Sequence, residues 1–551
     1  MSGPARNHGV RRTLTLHHFT SQTGDTLGFD YTASLELSKV TMPYGGYLAW
    51  YYDPVTLSAG IKREVHYRVS STGSGAPEMW YTLDHPNDSG NNLHTYTAVT
   101  DASGLADKVW FWRTDGLLSA LSERLLPTYT DKRITVPTWN TTGRPYISLT
   151  STTIDPWTTP QTQKTEQQID DYGNLQWVKQ YHNANGSATP VLARTYSYSY
   201  VNTSNYTSRH IYNRVGAVTV QKPGGSVITL AANTYDGQAI LFSFGTTPRQ
   251  WDSTVSNYRG NLTKSVTPGA TKNIQYTVVG TVNSADDDNS HSVSVTMSAS
   301  NNYAAPTAIT TGSLSTSFTW NSFLGLTQST APNSATSTQG YDGYSRPTQS
   351  TSATGQVVNY TYTSTTKTAT TGTRWTKTTV DGLGRTKKVD TGYNTGNTPT
   401  TVAVVDTEYT PCACSPMGKT LRVSLPHAPG ATVYWTEYVY DALGRTIQVK
   451  QPNNSGNAYY VYSANTVTST DAAGKWKKFE SDALGNLTKV TEPNPAGGSN
   501  FETTYTYSEL GQLLLVTMPR GSVTQTRTFA YDSNQRLYTV NNPENGTTTH
   551  F

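Results

Sequence analysis

The chain has 551 residues, of which 14% are charged, and a formal net charge of +4. An average soluble domain carries roughly 25% charge, and a disordered solvating chain would not hold the 37 Tyr and 12 Trp found here. The densest basic runs, Lys475-Trp476-Lys477-Lys478 and Lys387-Lys388, do not make a phosphate-tracking groove, so no nucleic-acid partner is expected. Thr, Ser, Tyr, Asn and Gly dominate, a mixture that favours strands with short turns, and no run of 18 apolar residues offers a membrane-spanning helix.

In chain order, residues 1–27 form an N-terminal segment expected to be flexible. It holds Arg6, His8, Arg11, Arg12, His17 and His18 and lacks the apolar stretch of a signal peptide. Residues 28–310 are expected to be divergent β-repeats. Val40-Thr41-Met42-Pro43-Tyr44-Gly45 nearly repeats Val516-Thr517-Met518-Pro519-Arg520-Gly521. The aromatic runs Trp50-Tyr51-Tyr52 and Trp110-Phe111-Trp112 could hold glycans, but consecutive strand residues point to opposite faces, so neither run is a flat platform by itself. Packing between sheet layers is the simpler role.

His85, between Asp84 and Pro86, reads as a loop residue, and the eleven His are scattered. No His-x-x-x-His, Gly-x-Ser-x-Gly or phosphate-binding loop accompanies them, so no catalytic residue, metal ligand or cofactor is assigned. Asp171-Tyr172-Gly173-Asn174-Leu175 is a degenerate turn, and Tyr196-Ser197-Tyr198-Ser199-Tyr200 an alternating aromatic strand. Asp286-Asp287-Asp288 lacks the alternating ligand spacing of a calcium loop and reads as a solvated loop.

Residues 311–551 are expected to be clear repeats of one short phrase. Six variants occur, opening on Tyr341-Asp342-Gly343-Tyr344-Ser345-Arg346. Val380-Asp381-Gly382-Leu383-Gly384-Arg385 and Tyr440-Asp441-Ala442-Leu443-Gly444-Arg445 follow. Ser481-Asp482-Ala483-Leu484-Gly485-Asn486, Tyr507-Ser508-Glu509-Leu510-Gly511-Gln512 and Tyr531-Asp532-Ser533-Asn534-Gln535-Arg536 complete the set. The second-position Asp can accept backbone N–H groups two residues on, and the fifth-position Gly can take a positive φ. Tyr closes the incoming strand, where its ring can pack on an equivalent ring. Arg leaves on the outgoing strand and can reach an Asp or carbonyl of an adjacent repeat. A group reused at each turn is most simply structural.

A Pro lies eight residues after the turn Gly in Gly260–Pro268, Gly444–Pro452, Gly485–Pro493 and Gly511–Pro519. In Gln535–Pro543 the offset is kept with the Gly replaced. The run between suits one strand, ended by a Pro that cannot donate to the ladder. Cys412 and Cys414 are the two cysteines. As same-face neighbours on one strand they would rarely close a disulfide, and a zinc site would need more ligands than nearby His427 supplies. They read as a local packing or turn element. The chain stops at His550-Phe551, shortly after a strand begins at Asn545-Gly546, and so reads as a fragment of something longer.

The Tyr-Asp-x-x-Gly-Arg turns, Arg259-Gly260-Asn261-Leu262 and the Val-x-x-Pro strands resemble the YD-repeat (Rhs) family, specifically over 320–551 and more weakly over 28–268. That family includes Rhs polymorphic toxins, shell components of insecticidal toxin complexes and teneurins. The resemblance implies an all-β fold: a repeat array of antiparallel strands and hairpins forming part of a spiralling shell. It implies a structural segment, without catalysis of its own, that encloses or displays a toxin or effector segment encoded elsewhere in the full-length protein. Its partner would be that segment or another shell part. Location would be secreted or at the cell surface. The alternative is a cell-surface adhesin whose Tyr and Trp surfaces bind glycans. Neither the family's core segment nor its aspartyl self-cleavage site is found, so no Asp is assigned as a protease residue.

Overall fold

Strand-length runs separated by tight reversals leave the backbone one economical way to satisfy its donors and acceptors, which is pairing with the next run along the chain. The computed structural model describes residues 16–20, 26–86, 92–185, 188–238, 257–396, 398–412 and 414–550. Within the segment 1–27, residues 1–15 and 21–25 lie outside the described residues, and His18–Thr20 forms the first strand.

Among the described residues, 43 strands join into one sheet. Thr336–Tyr341 pairs antiparallel with Pro347–Thr351, which pairs with Val357–Tyr362, and this meander runs through the described residues. One departure occurs where Ala184–Asn185 adds to Gln161–Ile169, and Leu175–Tyr181 then pairs onward with Leu192–Tyr200. Pairing passes unbroken from Pro306–Thr311 to Leu314–Trp320. The fold is all-β, a repeat array of antiparallel strands; among the described residues its one α-helical segment is Ser204–Thr207.

In a meander the reversals alternate between two rims. Four strands separate the first phrase from the second, four the second from the third and four the third from the fourth; two separate each later pair. All six phrases therefore lie on one rim. At that rim the pairing register slips at the end of the incoming strand, between Gly340 and Tyr341, Thr379 and Val380, Val439 and Tyr440, Glu480 and Ser481, Thr506 and Tyr507, and Ala530 and Tyr531. Each slip leaves one outgoing residue outside the ladder: Thr348, Lys387, Ile447, Thr488, Leu514 or Tyr538. A bulge bends its strand and sharpens the local right-handed twist. Repeating it at one rim curls the whole sheet in one sense.

The curl brings the sheet back onto itself. The phrase-bearing rim of the later half sits on the opposite rim of the earlier half. Gly46 N donates to Gly382 O at 2.8 Å, Ala464 N to Asp155 Oδ2 at 3.0 Å, and Gln163 Nε2 to Ala483 O at 2.7 Å. Arg194 Nη1 donates to Glu509 O at 3.2 Å, and Lys222 Nζ lies 2.5 Å from Glu509 Oε1. As the chain advances on one side of this seam it advances on the other, with hydrogen-bonded partners from Asp155 to Arg194 separated by 298 to 320 residues. These are successive windings of a spiral.

A sheet in this form has little interior. Among the described residues the largest fully buried apolar side chains are Tyr81, Val69, Val109 and Val220. Buried charges are paired across strands: Arg124 grips Asp107 through Nε at 2.9 Å and Nη2 at 2.6 Å, and Lys108 and Arg133 both hold Glu123. Burial pushes the Glu123 carboxyl up, but Arg133 and Lys108 together outweigh it and keep the group below the ordinary carboxylate range. The expected Pro stop holds for Leu262–Thr267, Leu487–Glu492 and Leu537–Asn542, each ending at the residue before its Pro. Pro519 departs from it, lying inside Leu513–Arg520 and opposite Thr524. It is the penultimate residue there, beside the hairpin end, where a missing donor weakens the ladder least.

The seam leaves no room at Gly382, where a Cβ would stand 1.9 Å from Thr72 O and 2.5 Å from Gly46 N. Gly382→Ala should therefore destabilise the protein by about 1–3 kcal/mol in chemical denaturation. Gly343→Ala, at the same place in the first phrase with nothing within 4 Å, should stay within about 0.5 kcal/mol of the parent. Equal effects of the two substitutions would contradict the seam.

Candidate functional site

The recurring structure is the reversal at each phrase. In the third phrase Asp441 N donates to Arg445 O at 2.9 Å and Gly444 N to Asp441 O at 2.9 Å. Asp441 Oδ1 accepts from Leu443 N at 3.0 Å and Arg445 N at 2.9 Å. Asp381 repeats this set with Leu383 and Arg385, and Asp482 with Leu484 and Asn486. Asp342 accepts from Tyr344 N and Arg346 N, both at 2.9 Å, and Asp532 from Arg536 N at 2.8 Å. In the fifth phrase the Ser508 hydroxyl takes the carboxylate's place, accepting from Leu510 N and Gln512 N at 3.2 Å.

The fifth position is left-handed throughout: φ is +82° at Gly384, +74° at Gly444, +85° at Gly485 and +77° at Gly511. Ser345 at +64° and Gln535 at +62° adopt it without being glycine. The upstream turn at Asp170 is built alike, its Oδ1 accepting from Tyr172 N and Asn174 N at 2.9 Å.

The sixth-position Arg departs from expectation by closing on the carboxylate of its own turn. The Nε–Oδ2 distance is 2.8 Å for Arg346–Asp342, 2.7 Å for Arg385–Asp381, 2.7 Å for Arg445–Asp441 and 2.8 Å for Arg536–Asp532. Four residues of separation across a tight turn put that carboxylate nearer than any other. A neighbouring repeat is reached as well, since Arg385 Nη1 donates to Met417 O at 2.5 Å. Burial opposes ionisation of Asp342, but the Arg346 backbone N–H and guanidinium outweigh it and hold the carboxyl below its ordinary range.

The outer face of the same guanidinium carries a Tyr ring from a following strand. Ring-centroid distances are 4.6 Å for Arg346–Tyr362, 4.1 Å for Arg385–Tyr409 and 4.3 Å for Arg445–Tyr462. Each of these hydroxyls donates to the carbonyl just beyond the turn, at Pro347, Thr386 and Thr446. Tyr341, Tyr507 and Tyr531 do the same to Leu326, Leu487 and Leu513, and Tyr440 donates to Thr420. These seven tyrosines thus link a hairpin to the previous one through a hydroxyl, three of them through a guanidinium as well, where ring-on-ring packing was expected. Burial pushes the Tyr362, Tyr409 and Tyr462 hydroxyls up, which keeps them protonated as donors.

Cys412 and Cys414 form a disulfide, against the expectation drawn from placing both on one strand. A reversal intervenes: Thr398–Cys412 ends there, Ser415–Ser424 begins, and Cys412 pairs with Ser415. This tip abuts the third phrase, since a Cβ on Gly444 would meet Cys414 Sγ at 2.5 Å. Asp287 of the acidic triplet is also a turn carboxylate, accepting from Asn289 N and His291 N at 2.9 Å. Among the aromatic runs, Trp50, Trp110, Phe111 and Trp112 are half-buried, while exposed Tyr51 stacks on exposed Trp80 with centroids 5.3 Å apart.

Two further features had no local signature. A cavity of about 730 Å³ opens between windings, with Asp101, Leu125 and Asp155 on one side and Tyr438, Tyr440 and Tyr460 on the other. In the first winding, Glu64, His85 and His94 bring one donor atom each to within 4.8 Å of one another. His85 lies in the loop after Glu78–Asp84 and His94 just before Tyr96–Thr100.

No protein-family profile and no curated protein matches this sequence. The fold is found in solved structures. It is similar to the crystal structure of TcdB2-TccC3-TEV, with a TM-score of 0.62 at 10% identity, over 96% of this chain and 44% of the other. It is also similar to the crystal structure of TcdB2-TccC3 without hypervariable C-terminal region, with a TM-score of 0.57 at 10% identity, over 93% of this chain and 43% of the other. The chain thus spans less than half the length of the structures it matches.

The left-handed position gives opposite expectations at two phrases. Gly444→Val places a branched side chain at φ +74° and against Cys414, and should cost roughly a few kcal/mol. Ser345→Gly removes a left-handed Ser at φ +64° and should gain up to about 1 kcal/mol. Limited proteolysis should open residues 430–460 in the Val variant, and denaturation midpoints should move in opposite directions. Unchanged protease resistance in that stretch would contradict the turn assignment.

Proposed function

We propose that this chain is a stretch of the wall of a spiralling β-shell that encloses or displays a toxin or effector segment carried elsewhere in the full-length protein. It performs no catalysis of its own. The seam carries this reading: a sheet that returns to its own rim after about 300 residues travels around a perimeter, and stacked perimeters make a wall. The likeness in fold to TcdB2-TccC3 structures supports it, and the chain's span of less than half of them leaves the rest of the wall to other sequence or another subunit. The resemblance of the Tyr-Asp turns to the YD-repeat family points the same way, and with it to a secreted or cell-surface protein. The turn residues are architectural in this account: they hold each reversal, link it to its neighbour, and several meet the next winding.

One observation favours a second reading. The exposed Tyr51–Trp80 stack is the kind of aromatic surface on which a sugar ring packs, as an adhesin would use. Cryo-electron microscopy of the full-length gene product separates the two. A hollow particle with cargo density in its lumen is expected. A solid, extended rod whose glycan-array signal disappears on Trp80→Ala would overturn the shell and leave the adhesin.

A further inference from the structure

We propose that Glu64, His85 and His94 form a binding site for a divalent transition metal of the zinc type, which ties the strand Gly60–Ser71 to His85, just after Glu78–Asp84, and His94, just before Tyr96–Thr100. The site is independent of the shell's contents.

The hydrogen bonds of the two imidazoles set their tautomers. A backbone carbonyl can only accept, so a ring nitrogen facing one must carry the hydrogen. His94 Nδ1 lies 2.8 Å from Pro86 O, so Nδ1–H donates there and the lone pair of the neutral ring falls on Nε2. His85 Nε2 lies 2.9 Å from Val65 O, which leaves its lone pair on Nδ1. A histidine that donates one N–H to a backbone carbonyl and presents the other nitrogen bare is arranged as metal-ligating histidines are, with orientation and tautomer fixed from behind.

The two acceptor nitrogens converge. The ring centroids are 5.1 Å apart and tilted by 35°. His94 Nε2 faces Glu64 Oε2 at 2.5 Å, which sets a lone pair against a carboxylate oxygen. Both atoms are acceptors in this tautomer, so the contact has room for a cation to hold them together; a tetrahedral ion at about 2.0–2.2 Å from each would draw the two atoms apart from their present spacing. His85 Nδ1 supplies the third donor; its neighbour at 3.3 Å is Thr97 Oγ1, which accepts from Trp112 Nε1 at 3.2 Å and whose hydroxyl hydrogen must turn away from the ring when an ion binds. Two imidazoles and one carboxylate suit zinc-type ions better than calcium or magnesium, which prefer all-oxygen shells. The site is accessible but sheltered, with the His94 side chain 13% and the Glu64 side chain 23% exposed.

The test is isothermal titration of the chelator-treated full chain with ZnCl2 at neutral pH, with Co2+ absorption as a second readout. One equivalent should bind, and visible d–d bands of a nitrogen- and oxygen-ligated ion should appear on Co2+ addition. Glu64→Gln, chosen to keep the fold, and His94→Ala should each weaken binding by at least about tenfold. Circular dichroism confirms that each variant is folded. Absence of binding to the folded parent, or full-affinity binding by a folded Glu64→Gln/His85→Ala/His94→Ala variant, would overturn the proposal.

Discussion

The residue that each phrase leaves outside the ladder, two positions beyond the turn's sixth residue, governs the shape of this molecule. An antiparallel meander with matched strands would propagate as an open twisted sheet. Here the slip recurs beside Tyr341, Val380, Tyr440, Ser481, Tyr507 and Tyr531, always at one rim, so its bends accumulate in one sense. The slip depends on the reversal beside it. A carboxylate, or the Ser508 hydroxyl in the fifth phrase, accepts backbone N–H groups, a left-handed residue follows, and at four of the phrases a guanidinium closes on the carboxylate from the exit strand.

With so little buried apolar surface, this sheet depends on its polar order. Each Tyr hydroxyl reaches a carbonyl 15 to 23 residues back, and several rings lie on the guanidinium that closes the previous turn. Each hairpin is thereby indexed to the one before it, which carries the curl over hundreds of residues without a thick core. Small residues then let the rims approach: Gly46 and Gly382 meet backbone to backbone, and Gly269 has Asn534 against it. The charged contact at the seam, Lys222 with Glu509, holds the Glu509 carboxyl below its ordinary range.

The fold class was legible in the sequence because its determinants are local. Six recurring phrases, alternating strands and a regular Gly-to-Pro offset specify hairpins without reference to anything distant. What could not be read is set by contacts with no fixed spacing. The phrase names Tyr and Arg but not that the Tyr of one hairpin sits on the Arg of the last, since intervening strands vary in length. The seam joins residues some 300 apart through glycines and main chain, which carry no pattern. Cys412 and Cys414 read as neighbours on one strand because the turn beside them lacks the phrase. Glu64 and His94 are 30 residues apart, and only strand pairing brings them together, so a search for short metal motifs passes over them.

The claim on which the account rests is that the later half of the chain winds onto the earlier half within one molecule. Zero-length carbodiimide cross-linking of the monomeric protein, mapped by mass spectrometry, addresses it directly. Lys222 Nζ and Glu509 Oε1 lie 2.5 Å apart across the seam, and Lys477 Nζ and Glu492 Oε1 2.7 Å apart within one winding. The account predicts both cross-links in the same monomer. Recovery of Lys477–Glu492 without Lys222–Glu509 would show that the hairpins form but the windings do not stack, and would contradict the spiral.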